Sequence, residues 1–154
     1  MEQNKGFFDT YFAFNGRLNR KAFIIRNIVV MFIMLILTFA IILPLYGLEH
    51  IDEFNLSVPY FIILFVGIWF YLANTNRRFK DMNKSKNWII FVGFLYLVQI
   101  PLDITKQYTG LYFVIGCIQL ALFIYLCAKK GTVGPNKYGP DPLQKDEDIQ
   151  EEIK

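Results

Sequence analysis

The chain has 154 residues, 55% of them hydrophobic and 18% aromatic, and a net charge of +3. Its apolar residues gather into four stretches free of Asp, Glu, Lys and Arg, at 27–48, 54–76, 87–102 and 107–128. With so much of a short chain in such runs, a separate soluble domain is excluded. The small positive charge sits at the ends of the runs, where topology and lipid headgroups account for it, so nucleic-acid binding is excluded as well.

In chain order, residues 5–14 come first. Phe7, Phe8, Tyr11, Phe12 and Phe14 cluster on one side at helical spacing. They fit a short N-terminal helix lying in the membrane interface, or aromatics packed under a helix bundle. Asn15-Gly16 breaks this segment. Four helices follow, expected at about 23–46, 55–76, 86–102 and 108–128. Crossing a ~30 Å hydrocarbon core takes about 20 apolar residues, and in lipid only a helix satisfies its own backbone. The first run is too long for a signal-peptide core and is expected to remain as a span. Pro44, Pro59 and Pro101 sit near the outer ends of the first three spans, where prolines mark helix boundaries or mild kinks. Gly67, Gly93 and Gly116 offer small surfaces for close helix approach. The polar residues within the runs are neutral, and Gln99 and Gln119 are expected to pair between helices. No ionisable group lies at depth, which argues against an ion-coupled transporter.

The basic residues set the orientation. Fifteen of the 16 Lys and Arg flank the chain before the first run, between the second and third, and after the fourth. Only Lys106 lies on the other side, and Glu49, Asp52 and Glu53 occupy the first outer loop. Lys and Arg near span ends mark the cytoplasmic face, so both termini and the middle loop are expected there. Residues 1–142 then form one all-α, four-span membrane domain. The acidic residues 143–154 form a solvated, disordered tail.

Catalytic and metal signatures are weak. The only His, His50, is on the outer side, and Cys117 and Cys127 lie about 15 Å apart along one helix, beyond disulfide reach. They read as packing residues. No nucleophile, metal cluster or proton-transferring pair is recognisable, so no enzyme activity, cofactor or metal is expected.

The distinctive residues lie in three expected cytoplasmic segments: Phe14-Asn-Gly-Arg-Leu-Asn-Arg-Lys-Ala-Phe23, Arg77-Arg-Phe-Lys-Asp-Met-Asn-Lys-Ser-Lys-Asn-Trp88, and Gly131-Thr-Val-Gly-Pro-Asn-Lys-Tyr-Gly-Pro-Asp-Pro142. In the middle segment, Asp81 is three residues from Arg78 and four from Arg77, within side-chain reach on a helix. Ser85 is placed to N-cap the third helix, and Trp88 to anchor it at the interface. In the last segment three Gly and three Pro forbid a helix and call for tight turns. A rigid cap is expected there, docked through Asn136 and Tyr138, with Asp141 near its end. Together with Arg17 and Arg20, these residues form either a salt-bridged structural cap, an anionic headgroup site at a helix N-terminus, or a surface for a protein partner or a second copy.

The three segments, in this order, resemble a family of small bacterial inner-membrane proteins known as domain of unknown function 805, the YhaH-like proteins. The likeness covers about residues 8–142. Where the family commonly has a His before the Asp and a Gly or Ala before the Trp, this chain has Lys80 and Asn87. The resemblance implies a multi-pass protein of the bacterial inner membrane and no established activity. Two functions stay open: a structural or regulatory membrane protein with a partner-binding cap, and a small transporter or lipid-handling protein with an apolar cavity between its helices.

Overall fold

The computed structural model describes residues 11–46, 53–105 and 109–143. Among these residues the long helices are four: α1 (Arg20–Tyr46), α2 (Glu53–Asp81), α3 (Asn87–Thr105) and α4 (Thr109–Ala128). Among the described residues the only strand-like pairing is the bridge between Asn136 and Gly139. The helices pack in a ring, each on its chain neighbours, with α1 closing onto α4 and α1 against α2 the largest contact. Three are long and apolar enough to cross a membrane: Arg20–Ile42, Ser57–Asp81 and Thr109–Ala128. The apolar part of the other, Asn87–Pro101, is shorter. Phe7, Phe8, His50 and the acidic tail from residue 144 lie outside the described residues.

The outer surface is what water would not tolerate. Leu97 is 71% exposed and Phe113 69%, and much of α1 presents Ile, Leu, Met and Phe outward. Apolar patches on this scale are foreign to a soluble monomer, and the fold is compatible with a membrane protein.

Local chemistry explains the helix ends. The Asn19 side-chain oxygen accepts from the Ala22 amide at 2.8 Å, a cap that satisfies one orphan donor of α1. Helix α2 runs past the uncharged stretch that ends at residue 76 and stops after Asp81. There Asn83 adopts φ 55°, Lys84 N donates to Phe79 O at 2.9 Å and Asn83 N to Lys80 O at 3.0 Å. This pair of bonds around a left-handed residue ends the helix and satisfies its last carbonyls.

Several sequence expectations are revised. Helices run through Pro44, Pro59 and Pro101, so none of these marks a boundary. Gly67 sits 3.8 Å from Met34, measured from where its Cβ would be, but Gly93 and Gly116 face open space. Only the first of the three serves helix approach. Three polar side chains of the apolar stretches turn to their own helices: Asn27 donates to Phe23 O at 2.8 Å, Thr38 to Met34 O at 2.8 Å and Asn74 to Phe70 O at 3.1 Å. Of the N-terminal aromatics, Tyr11 and Phe12 pack on Phe70 and Phe14 on Trp69, so these three lie against α2.

The buried core is at one end of the bundle. Leu18, Phe23, Phe79, Met82, Val92 and Leu126 form it, where α1 begins, α2 ends, α3 begins and α4 ends. Residues 73–79 are buried without interruption. Phe23→Ala empties this core and is expected to lower stability by about 3–5 kcal/mol. Phe113→Ala, on the exposed face, is expected to change it far less. Denaturant titration of both variants in detergent checks the contrast.

Candidate functional site

The polar cluster is built around Asp81, at the last turn of α2. Arg78 lies one turn back on the same helix and is fully buried. Its Nη1 donates to Asp81 Oδ2. The other oxygen, Asp81 Oδ1, accepts from Arg17 Nε at 3.1 Å, and the two groups form an ion pair with both side chains buried. The sequence spacing points to Arg77 as a second partner for this carboxylate. The structure corrects that: Arg17, 64 residues away in sequence, takes the place. Arg77 is buried beside it, and its main-chain oxygen accepts from Leu18 N at 3.2 Å.

Both guanidiniums are then filled by main-chain acceptors. Arg17 donates to Gly134 O at 2.6 Å, Gly139 O at 3.3 Å, Thr132 O at 2.5 Å and Thr132 Oγ1 at 3.2 Å. Arg78 donates to Leu126 O at 3.0 Å, Leu18 O at 3.4 Å and Lys129 O. A guanidinium has five N–H donors. Arg17 uses all five, and Arg78 uses four and is fully buried, so neither is open to a phosphate. Arg20, exposed at the start of α1, donates to Ala128 O at 3.3 Å. Arg20 and Arg78 together satisfy carbonyls at the end of α4 that no amide follows.

The C-terminal segment closes over this cluster. Asp81 O accepts from both Thr132 N and Thr132 Oγ1 at 2.8 Å. Asn136 donates to Lys80 O at 3.0 Å and Thr132 Oγ1 at 2.8 Å, and its own oxygen accepts from Tyr138 N at 2.9 Å. The Tyr138 hydroxyl donates to Lys84 O at 2.7 Å. Asp141 is buried; its carboxylate accepts from Gly134 N at 2.7 Å and Leu143 N at 3.0 Å, and lies 4.0 Å from Arg17 Nη2. Gly134 and Gly139 hold positive φ of 76° and 132°, which suits glycine. Gly131 has another reason: a Cβ there would overlap the Asp81 carboxylate.

Two residues singled out from the sequence stand apart. Ser85 is exposed, and the Trp88 amide meets the Ser85 main-chain oxygen at 3.4 Å, so the helix start is tied main chain to main chain and not through the hydroxyl. Trp88 packs against Phe79 with ring planes tilted by 32° and centroids 5.6 Å apart, under the Lys84 ammonium. The sequence offered no local signal for Lys80, whose Nζ donates to Phe14 O at 2.7 Å beside the Asn76 amide at 2.9 Å. Those bonds fix the segment before α1 to α2.

The family model described as "Protein of unknown function (DUF805)" matches residues 11–140. The chain belongs to this family. No curated protein and no solved structure matches it. The matched stretch carries every residue of the polar cluster except Asp141.

Away from that cluster the DUF805 bundle is open. A groove of about 740 Å³ runs along α2 and meets α3 at Ile100, lined by Ser57, Phe61 and Phe65 among others. A second cavity of about 300 Å³ lies between α1, α2 and α3, against Met34, Thr38, Tyr71 and Tyr96. A third, of about 240 Å³, lies between α2, α3 and α4. All three share Leu64 and Ile68 of α2 as a wall, and no wall residue of any of them is charged. Gln99 and Gln119 line the third cavity, and among the described residues Gln119 Nε2 has no hydrogen-bond partner, so the nitrogen does not make the pairing expected between these glutamines.

Asp81→Ala leaves two buried arginines without their carboxylate and is expected to cost about 3–5 kcal/mol. Gly131→Ala is expected to destabilise the natural chain but to add little on top of Asp81→Ala, since the group it strikes is gone. Thermal melts of the two single variants and the double variant measure both effects.

Proposed function

We propose that this DUF805 protein is a multi-pass protein of the bacterial inner membrane that holds a lipid between its helices, with both termini cytoplasmic. The carrying observation is the set of three adjoining, uncharged cavities beyond the hydrogen-bonded polar end. Cavities that receive drug-sized ligands run to about 300–1,000 Å³, and the groove along α2 falls within that range. Its walls suit hydrocarbon. The polar end acts as a structural cap that holds the four helices in register. Arg17 has no donor left for a headgroup and Arg78 is fully buried, so an anionic lipid contacts instead the exposed basic rim of Lys21, Lys129, Lys130 and Lys137. That rim is also the surface open to a protein partner.

Two measurements test this. Reporters active only in the cytoplasm are expected to work after Lys154 and within residues 83–86, and a reporter active only outside at residues 49–52, as the basic residues dictate. A middle loop found outside would overturn the arrangement. Native mass spectrometry of the protein taken from its membrane is expected to retain one lipid per chain, lost on Leu64→Trp, which fills the shared wall. Retention unchanged by that substitution would place the lipid elsewhere and contradict the reading.

A further inference from the structure

The smallest of the three cavities differs from its neighbours in chemistry. It is walled by Tyr60, Tyr96, Gln99, Tyr112 and Gln119 as well as by aliphatic side chains. Gln119 Nε2 is buried and makes no hydrogen bond among the described residues. An amide nitrogen carries two donors and no acceptor. A buried polar group left bare is disfavoured. No acceptor on the described walls, the Gln99 amide and the three Tyr hydroxyls included, meets Gln119 Nε2, so an acceptor brought in by an occupant of the void would satisfy it. The acceptor is uncharged, because no Lys or Arg lines the cavity to balance a carboxylate or phosphate. Burying an anion without a partner is far less favourable than burying a neutral oxygen. The adjoining groove, which shares Leu64, Ile68 and Ile100 with this cavity, has room for a hydrocarbon chain.

We infer that the cavity binds an uncharged lipid whose carbonyl oxygen accepts from Gln119 Nε2, with its hydrocarbon tail in the groove along α2. This rests on the lipid-holding reading and adds the chemistry of the head. A quinone with an alkyl tail and a diacylglycerol both supply a neutral carbonyl on a hydrocarbon chain. They are two sources of one chemistry, and binding tells them apart.

The test uses the full chain in detergent. An alkyl benzoquinone, a diacylglycerol and a fatty acid are titrated separately, and bound probe is counted by native mass spectrometry. At least one of the two carbonyl lipids is expected to bind saturably, one per chain, and more tightly than the ionised fatty acid. Gln119→Leu is expected to weaken that binding about tenfold, the loss of one hydrogen bond. The ranking of the three probes on the natural chain needs no variant, so the inference stays testable if Gln119→Leu fails to fold. If native lipid is retained but the fatty acid binds as well as the carbonyl probes, or Gln119→Leu binds them undiminished, the head-group assignment is wrong and the lipid-holding reading stands. If neither native lipid nor any probe is retained, both fall.

Discussion

One carboxylate held between two buried arginines organises this protein. Asp81 joins Arg78 of its own helix to Arg17 of the segment before α1, and each arginine reaches on to main-chain oxygens of other elements. Replacing a buried ion pair by well-packed apolar groups is often neutral or stabilising, so the pair is weak evidence for net stability. Its worth lies in direction. Each guanidinium matches acceptors in a fixed geometry, so α1, α2, α4 and the C-terminal segment meet in one relative arrangement. An apolar patch of the same area would permit many.

The tight end allows the open one. Helices in lipid have no hydrophobic drive to associate, because lipid tails are as apolar as their side chains. Here the buried core and the polar cluster coincide at one end. Beyond them the helices need not close, and the cavities along Leu64 and Ile68 remain. A bundle tied at one end and hollow toward the other leaves room between its helices without giving up a defined fold.

Much of this was legible in the residues. The uncharged stretches located four helices, and the spacing of Arg78 and Asp81 announced their pair because helical neighbours three apart must meet. The contact of Arg17 with Asp81 spans 64 residues and leaves no local trace. The same holds for Gly131, whose need for glycine comes from a carboxylate on another element. Asn83 ends α2 through a left-handed turn that Asn tolerates but does not signal. Gln99 and Gln119 misled for a physical reason. Two amides at depth in lipid ordinarily find each other, and here a cavity lies between the helices that carry them.

Amide hydrogen exchange on Arg17→Gln tests the organising role of this cluster most directly. Arg17 makes its bonds to Asp81 and to the carbonyls of Thr132, Gly134 and Gly139. If the ends of the bundle are tied through it, protection falls together at Leu18, at Thr132, at the Asn136–Gly139 turn and at the last turn of α4, while the middle of α3 keeps its own. A loss confined to the residues next to position 17 would contradict the account and leave the four helix ends held by apolar packing alone.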